Sequence, residues 1–239
     1  MSVARLRIAA AGAGQAAAEA AAAAAAGGAD LLVLPRRTDA PAEPSDGAAA
    51  DALGDLAARH RLAILFAYVE ACSGLAHLAL QLVLSDGRST ANYRATHLGA
   101  AATALGWTPG NWLTMTRLEP LTIGLLAGLD HLAPEVGRAL SGRGAEALIA
   151  VADPSLEPGA AAAAMFGGCL ARLRAIENSV PVCLVGPDGS LAAAAADGEP
   201  LPVAAIDGLA AVTLERNDRQ PVVPRRPDLY RQLVDGTTD

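Results

Sequence analysis

The chain has 239 residues and a formal net charge of −7, with 18 Lys and Arg against 25 Asp and Glu. A folded chain of this length buries roughly 70–75% of its unfolded surface, so it can build a core without disulfides or metals. The acidic balance and the 3% aromatic content argue against a nucleic-acid-binding surface. The three cysteines, an odd number without metal-type spacing, indicate a reducing cytoplasm.

Short apolar runs alternate with helix-forming segments along most of the chain. The alanine run at 8–26 predicts a helix and no membrane anchor, because alanine is the best helix former and is only weakly apolar. In chain order the pattern predicts a strand at 3–9, a helix at 15–26, a strand at 30–35, a helix at 48–60, strands at 62–69 and 76–84, a short strand ending near Tyr93, a strand at 121–126, a helix at 134–142, a strand at 145–151, a helix at 159–178, a strand at 180–185 and a last strand from 212.

Strands that alternate with helices predict a layered α/β fold. Turn signals at Asp86-Gly87 and Asp188-Gly189 predict hairpins, so the sheets are expected to be mixed and not purely parallel. No composition break divides the chain, and we expect a single domain over residues 1–239.

Several motifs then occur in an order that resembles one known family. They are GADLLVLP at 28–35, YRATHL at 93–98, TPG at 108–110, GLLAGLD at 124–130 followed by Pro134-Glu135, RGAE at 143–146, RAIEN at 174–178 and RPDLY at 226–230. Together they resemble the nitrilase superfamily of carbon–nitrogen hydrolases over nearly the whole chain. The resemblance implies a four-layer αββα sandwich with mixed sheets, and a homodimer.

The resemblance also implies a mechanism at amide or nitrile carbon that uses three side chains. A Cys thiolate attacks carbon, a Glu acts as general base, and a Lys stabilises the tetrahedral intermediate. The corresponding positions here are Arg36, Ala95 and Gly128. A second acidic residue that many members carry is also missing, because no Asp or Glu occurs from 92 through 118.

We therefore predict a catalytically inactive homologue, a pseudoenzyme that acts as a binding, scaffold or regulatory subunit. The alternative is a carbon–nitrogen hydrolase that acts on amide or nitrile bonds with displaced catalytic residues. The expected partners are a second copy of the chain, an active relative or a small anionic ligand, with no nucleic acid, membrane, cofactor or metal.

Four residues are candidate ligand contacts in the vacated pocket. Arg36 would bind an anion, or else would pair with Asp130 or lie in solvent. Asp130 and His131 would form a replacement acid–base or metal site, or Asp130 would simply bond backbone donors around the start of the following helix. Trp107 would stack on a ligand at the rim, or would fill core.

Two further expectations concern framework positions. His97 lies in a family motif and is expected to be structural. Arg174 and Glu177, three residues apart, suit a helix-surface pair or an interface contact. The helix at 159–178 is expected to turn its large apolar residues towards the sheet and its small ones towards a dimer partner; the large residues are Met165, Phe166, Leu170, Leu173 and Ile176.

Overall fold

The computed structural model describes residues 3–153 and 160–217, with the side chains of 160–166 left out. Its first sheet contains β1 (Arg5–Ala10), β2 (Leu31–Leu34), β3 (Ala63–Cys72), β4 (Leu75–Val83), β5 (Ser89–Arg94), β11 (Ala204–Ile206) and β12 (Leu209–Glu215). Its second sheet contains β6 (Met115–Leu118), β7 (Leu121–Ala127), β8 (Ala147–Val151), β9 (Val182–Val185) and β10 (Leu191–Ala194). The helices are α1 (Ala17–Ala26), α2 (Ala48–His60), α3 (Ala100–Ala104), α4 (Pro134–Gly142) and α5 (Ala160–Asn178).

Both sheets are mixed, as the hairpin signals predicted. β1, β2 and β3 run parallel at the centre of the first sheet, and β7, β8 and β9 do so in the second. Antiparallel neighbours flank each parallel group, including β4–β5 across Asp86-Gly87 and β9–β10 across Asp188-Gly189. The carboxyl ends of the central parallel strands of each sheet therefore meet at one edge of that sheet.

Three buried clusters separate four layers. One cluster lies between the two sheets and joins residues such as Ile8 and Leu65 to Ile123 and Ile149. A second cluster packs α1 and α2 against the outer face of the first sheet. A third packs α4 and α5 against the outer face of the second sheet. The expected αββα sandwich is therefore confirmed.

The orientation of α5 differs from the prediction. Among its described side chains, Ala171 and Ala175 are fully buried against the second sheet, whereas Leu173 and Ile176 are 49% and 41% exposed. The expectation that the large residues face the sheet is wrong for these two. Small side chains let the helix backbone approach the sheet closely, and the large ones are left on the outer face. Met165 and Phe166 lie outside the described side chains.

The long predicted elements occur within a few residues of their expected bounds. The elements that sequence patterns missed are short: α3, β6, β10, β11 and a 3-10 helix at Gly128–Leu132. Segments of three to five residues are too short to show the hydrophobic periodicity from which a helix or strand is predicted. The predicted tail motif at 226–230 lies outside the described residues. None of the described helices is both long enough and apolar enough to cross a membrane.

Candidate functional site

A buried ion pair joins the two sheets where the first catalytic position is expected. Arg36 follows β2 by two residues, and Asp153 follows β8 by two residues in the other sheet. The Arg36 Nε lies 2.6 Å from Oδ2 of Asp153, and Nη2 lies 3.1 Å from Oδ1. The two side chains are only 5% and 2% exposed. The guanidinium therefore forms a two-point fork on the carboxylate in a place shielded from water.

Trp107 covers this pair. The guanidinium carbon of Arg36 lies 5.2 Å from the centroid of the indole ring, and its Nη1 donates to the Arg37 carbonyl at 3.2 Å. Backbone hydrogen bonds hold this segment in place. The backbone N–H of Trp107 donates to the Ala102 carbonyl, and the backbone N–H of Thr108 donates to the Ala76 carbonyl. Trp107 thus contacts Arg36 and packs partly against the inner core.

The expected pairing of Arg36 with Asp130 or with solvent is wrong. Asp130 is fully buried and is already surrounded by donors. It accepts from the Tyr93 hydroxyl at 2.6 Å, the Thr96 N–H and hydroxyl at 3.1 and 2.8 Å, the His97 N–H at 2.9 Å and the Ala127 N–H at 3.1 Å, and the His97 Nδ1 lies 3.0 Å away. Both oxygens of this carboxylate are already occupied by hydrogen-bond donors, so they cannot also accept two bonds from a guanidinium.

The role of Asp130 follows from these donors. The prediction that it bonds backbone groups is confirmed, but they belong to the loop after β5 and to the end of β7, not to α4. The carboxylate also binds His97, which supports the structural role expected for that residue. Burial, followed by the charge of Asp130, raises the pKa of Tyr93. Asp130 therefore joins the segment that contains Ala95 to the one that contains Gly128, the places where the resemblance predicts the second and third catalytic residues.

Those two positions offer no chemical side chain. Ala95 is buried, its N–H donates to Leu78 and its carbonyl accepts from Gly110. Gly128 is buried at the start of the 3-10 helix with φ of +55°, a left-handed conformation that favours glycine. Both positions therefore contribute backbone to the site and no reactive side chain.

His131 is buried but does not pair with Asp130 as an acid–base dyad. Its ring bonds the Gly128 backbone. Burial lowers the pKa of His131, and the nearby Arg174 adds to that effect, while the Gly128 bond and the Asp130 charge oppose it. The imidazole is therefore held in its neutral form near pH 7.

Arg174 does more than the predicted helix-surface pair. Its Nη1 bonds Glu177 at 2.8 Å, as the spacing predicts. The side chain is nevertheless buried, with Nε on the His131 carbonyl at 3.1 Å and Nη2 on the Leu132 carbonyl at 3.0 Å. Arg174 therefore anchors the 3-10 helix beside Gly128 to α5.

Sequence analysis also missed a second ion pair, in which the carboxylate is buried and the guanidinium is 34% exposed. Arg94 reaches across β4 to Glu70, with Nε and Nη2 at 2.6 and 2.8 Å from the carboxylate. The strand register places Ala79 opposite Arg94, so a small residue leaves room for the crossing. Burial opposes ionisation of Glu70, but hydrogen bonds from Arg94 and Asn92 outweigh it and hold the pKa of Glu70 below its ordinary value.

The cysteines occupy other places. Cys183 lies in the core between the sheets, where burial raises its pKa to about 12. Cys169 is exposed on α5, and Cys72 is partly buried at the end of β3. Within residues 3–153 and 160–217, no three His, Cys, Asp or Glu side chains lie together as a metal site.

Asp153 is the residue that sequence analysis missed. The available signal was the position of an acidic residue just after the continuously apolar strand β8, at the carboxyl end of a parallel group. The sequence around Asp153 does not predict which residue it pairs with, because Arg36 lies 117 residues earlier in the chain.

We expect the Arg36–Asp153 pair to be energetically coupled. Arg36→Ala or Asp153→Asn alone should lower the free energy of unfolding by about 3–5 kcal/mol, because each breaks the buried ion pair while its other member stays in the protein interior. The double variant Arg36→Met with Asp153→Leu should lose far less, because no charge is left buried. Urea unfolding of the single and double variants measures this coupling, and strictly additive losses would contradict it.

The lowered pKa of His131 predicts a pH dependence of stability. The unfolded chain, with an ordinary histidine pKa of 6.5, binds a proton at a pH where the folded chain does not. The free energy of unfolding is therefore highest well above pH 6.5, and it declines as the pH falls and the unfolded chain takes up the proton. Urea unfolding at pH 7.5, 6.5 and 5.5 should show a steeper decline for the unmodified protein than for His131→Gln. Equal slopes would overturn the assignment.

Comparisons with known proteins agree with this architecture. The sequence model of one family, described as carbon–nitrogen hydrolase, matches residues 8–213. A Pseudomonas protegens protein named "Hydrolase in pqqF 5'region" is 29% identical over 236 residues, which covers 86% of this chain and 81% of that protein.

Solved structures of an amidase from Nesterenkonia, of the nitrilase superfamily, have the same fold. One mutant of that amidase aligns with a TM-score of 0.75 at 19% identity and covers 98% of both chains. Another, in complex with butyramide, aligns with a TM-score of 0.72 at 18% identity and covers 95% of this chain and 96% of that one. Since the family match spans most of the chain and the four layers agree, the protein belongs to the carbon–nitrogen hydrolase family of the nitrilase superfamily.

Proposed function

We propose that this protein is a non-catalytic member of its family that acts by binding. The observation that carries the proposal is the buried pair of Arg36 with Asp153 beneath Trp107, at the position where the family resemblance places the general base. A guanidinium carries five N–H donors and no acceptor, so it cannot take a proton from a nucleophile.

The other two positions support the same proposal. The resemblance assigns the oxyanion-stabilising lysine to Ala95 and the nucleophile to Gly128. The Nesterenkonia amidase, by contrast, has an active-site cysteine to which the acetamide moiety of fluoroacetamide adds covalently. Loss of the nucleophile in a covalent mechanism costs on the order of 10⁶ in rate. Alanine and glycine side chains supply neither function.

None of the three cysteines is a good substitute nucleophile. Cys183 is sealed between the sheets with a raised pKa, so its reactive thiolate is disfavoured. Cys169 lies on α5, on the far side of the second sheet from the inner core. Cys72 lies two residues beyond Glu70 on β3, and alternation along the strand puts both on the helix-covered face with Tyr68.

The existing ion pair also bears on the kind of ligand. An anion at Arg36 would have to displace Asp153, which already holds the guanidinium at two points. Binding of a small anion at Arg36, which the sequence suggested, is therefore not supported by the contacts of this side chain. Association with a protein partner does not require that pair to open.

We expect the unmodified protein to release no ammonia from a panel of amides, nitriles and carbamoyl compounds. An active amidase of the family, assayed beside it, controls for the assay. Arg36→Glu, Ala95→Lys and Gly128→Cys should each stay inactive alone, because catalytic groups act as a unit. Turnover that persists in a variant with Cys72, Cys169 and Cys183 all changed to Ala would contradict the proposal and reveal displaced chemistry.

We infer that a second copy of the chain covers the outer face of α5. Leu132, Leu173 and Ile176 are 53%, 49% and 41% exposed, and the Arg174 bridge fixes the 3-10 helix of Leu132 to α5. Large apolar side chains exposed on neighbouring elements are typical of interfaces. The same face offers an active relative an equivalent surface.

Assembly makes a separate prediction. Leu173→Glu should convert the dimer to a monomer, because it puts a charge into an apolar interface. Val203→Glu is the matched control, since Val203 is 45% exposed in the loop before β11 and its change should leave the dimer intact. Light scattering at tens of micromolar measures both. A monomeric unmodified protein, or equal effects of the two changes, would rule out this face.

A further inference from the structure

We propose that Asp153, Trp107 and the Arg37 carbonyl form a receptor for a guanidinium ion, which Arg36 fills in the free protein. The ligand class is a small alkylguanidinium cation that competes with this tethered side chain. The inference rests on the proposed function, because a pocket without catalytic groups holds a ligand without consuming it.

The carboxylate supplies the first recognition element. Asp153 presents both oxygens to one edge of the guanidinium plane, at 2.6 Å from Nε and 3.1 Å from Nη2. This side-on fork selects a planar cation with two parallel N–H groups, and an ammonium ion cannot reproduce it. The 2% exposure of Asp153 means that water does not compensate its charge when the cation leaves.

The indole ring supplies the second element. Trp107 lies with its ring centroid 5.2 Å from the guanidinium carbon, within the range of a cation–π contact. The Arg37 carbonyl supplies a third, because it accepts from Nη1 at 3.2 Å on the edge away from Asp153. The carboxylate binds one edge of the planar ion, the ring lies against its face and the carbonyl accepts a third N–H.

Two of these walls, Asp153 and Trp107, are attached to backbone that is hydrogen-bonded independently of the Arg36 side chain. Asp153 follows β8, a fully buried strand paired on both sides. Trp107 is bonded through its backbone to Ala102 and pairs as an isolated bridge with Ala76. Shortening Arg36 therefore removes the occupant and leaves the receptor in place.

The tether explains how such a site is regulated. Arg36 is attached to its own receptor, so its effective concentration there is in the millimolar range or above, and a free ligand must compete with it. The unmodified protein therefore binds a free guanidinium weakly. Any partner that draws Arg36 out of the pocket would raise the affinity.

The test titrates methylguanidinium chloride into Arg36→Ala and into the unmodified protein by calorimetry, with methylammonium chloride at equal ionic strength as the ligand control. We expect saturable binding to Arg36→Ala that is at least tenfold tighter than to the unmodified protein and tenfold tighter than that of methylammonium. Methylguanidinium should also raise the melting temperature of Arg36→Ala. Adding Asp153→Asn to Arg36→Ala should abolish both effects.

Arg94→Ala is the matched protein control. It empties a second two-point guanidinium fork, on the buried Glu70, whose cation was 34% exposed to solvent. We expect its response to methylguanidinium to be severalfold weaker than that of Arg36→Ala. An equal response would show that methylguanidinium merely neutralises an unpaired carboxylate, and would overturn the inference.

Arg36→Gln keeps much of the side-chain volume and serves if Arg36→Ala does not fold. Absence of saturable binding in the folded variant, or equal binding of methylammonium, overturns the receptor. Ammonia release is measured on the same samples. Release would overturn the proposed function and leave the binding result standing, whereas no binding and no release would overturn only this inference.

Discussion

A guanidinium and a carboxylate neutralise each other in the interior of this protein, between its two sheets. Arg36 extends from the first sheet and Asp153 from the second, so their pairing requires both sheets to pack in one relative position. Desolvation makes either group alone costly, and the two-point geometry offsets that cost. The pair therefore links the end of β2 to the packing of the two sheets.

The framework around the site survives because it is made of interactions that do not need catalytic side chains. Asp130 holds the loop after β5 and the end of β7 through backbone and hydroxyl donors. Ala95 and Gly128 sit inside these segments and contribute only their backbones. The fold can thus persist at 19% identity to a solved amidase.

Alanine content shapes the outer layers. Four alanines of α1 and at least two of α5 are buried, and they let these helices lie close against the sheets. The consequence on α5 is that Leu173 and Ile176 are turned outward. Alanines that pack closely against the sheet therefore leave the larger apolar side chains on the outer face of the helix. This exposed apolar surface is the physical basis for expecting a protein partner.

The sequence by itself determined the order and type of the long elements, because hydrophobic runs and helix-forming segments are local properties. The order of motifs also predicts that Arg36, Ala95 and Gly128 stand where the family resemblance places base, oxyanion stabiliser and nucleophile. A motif match needs only residue order, so these assignments did not require coordinates.

Only the tertiary structure decided which side chains meet. Arg36 could not be assigned to Asp153 from sequence, since both Asp130 and Asp153 follow strands of the second sheet. Asp130 was excluded because backbone donors from two other segments already surround it. The face of α5 was likewise decided by how closely its backbone packs on the sheet. Partner choice depends on the relative position of packed layers, and no local pattern of residues encodes that position.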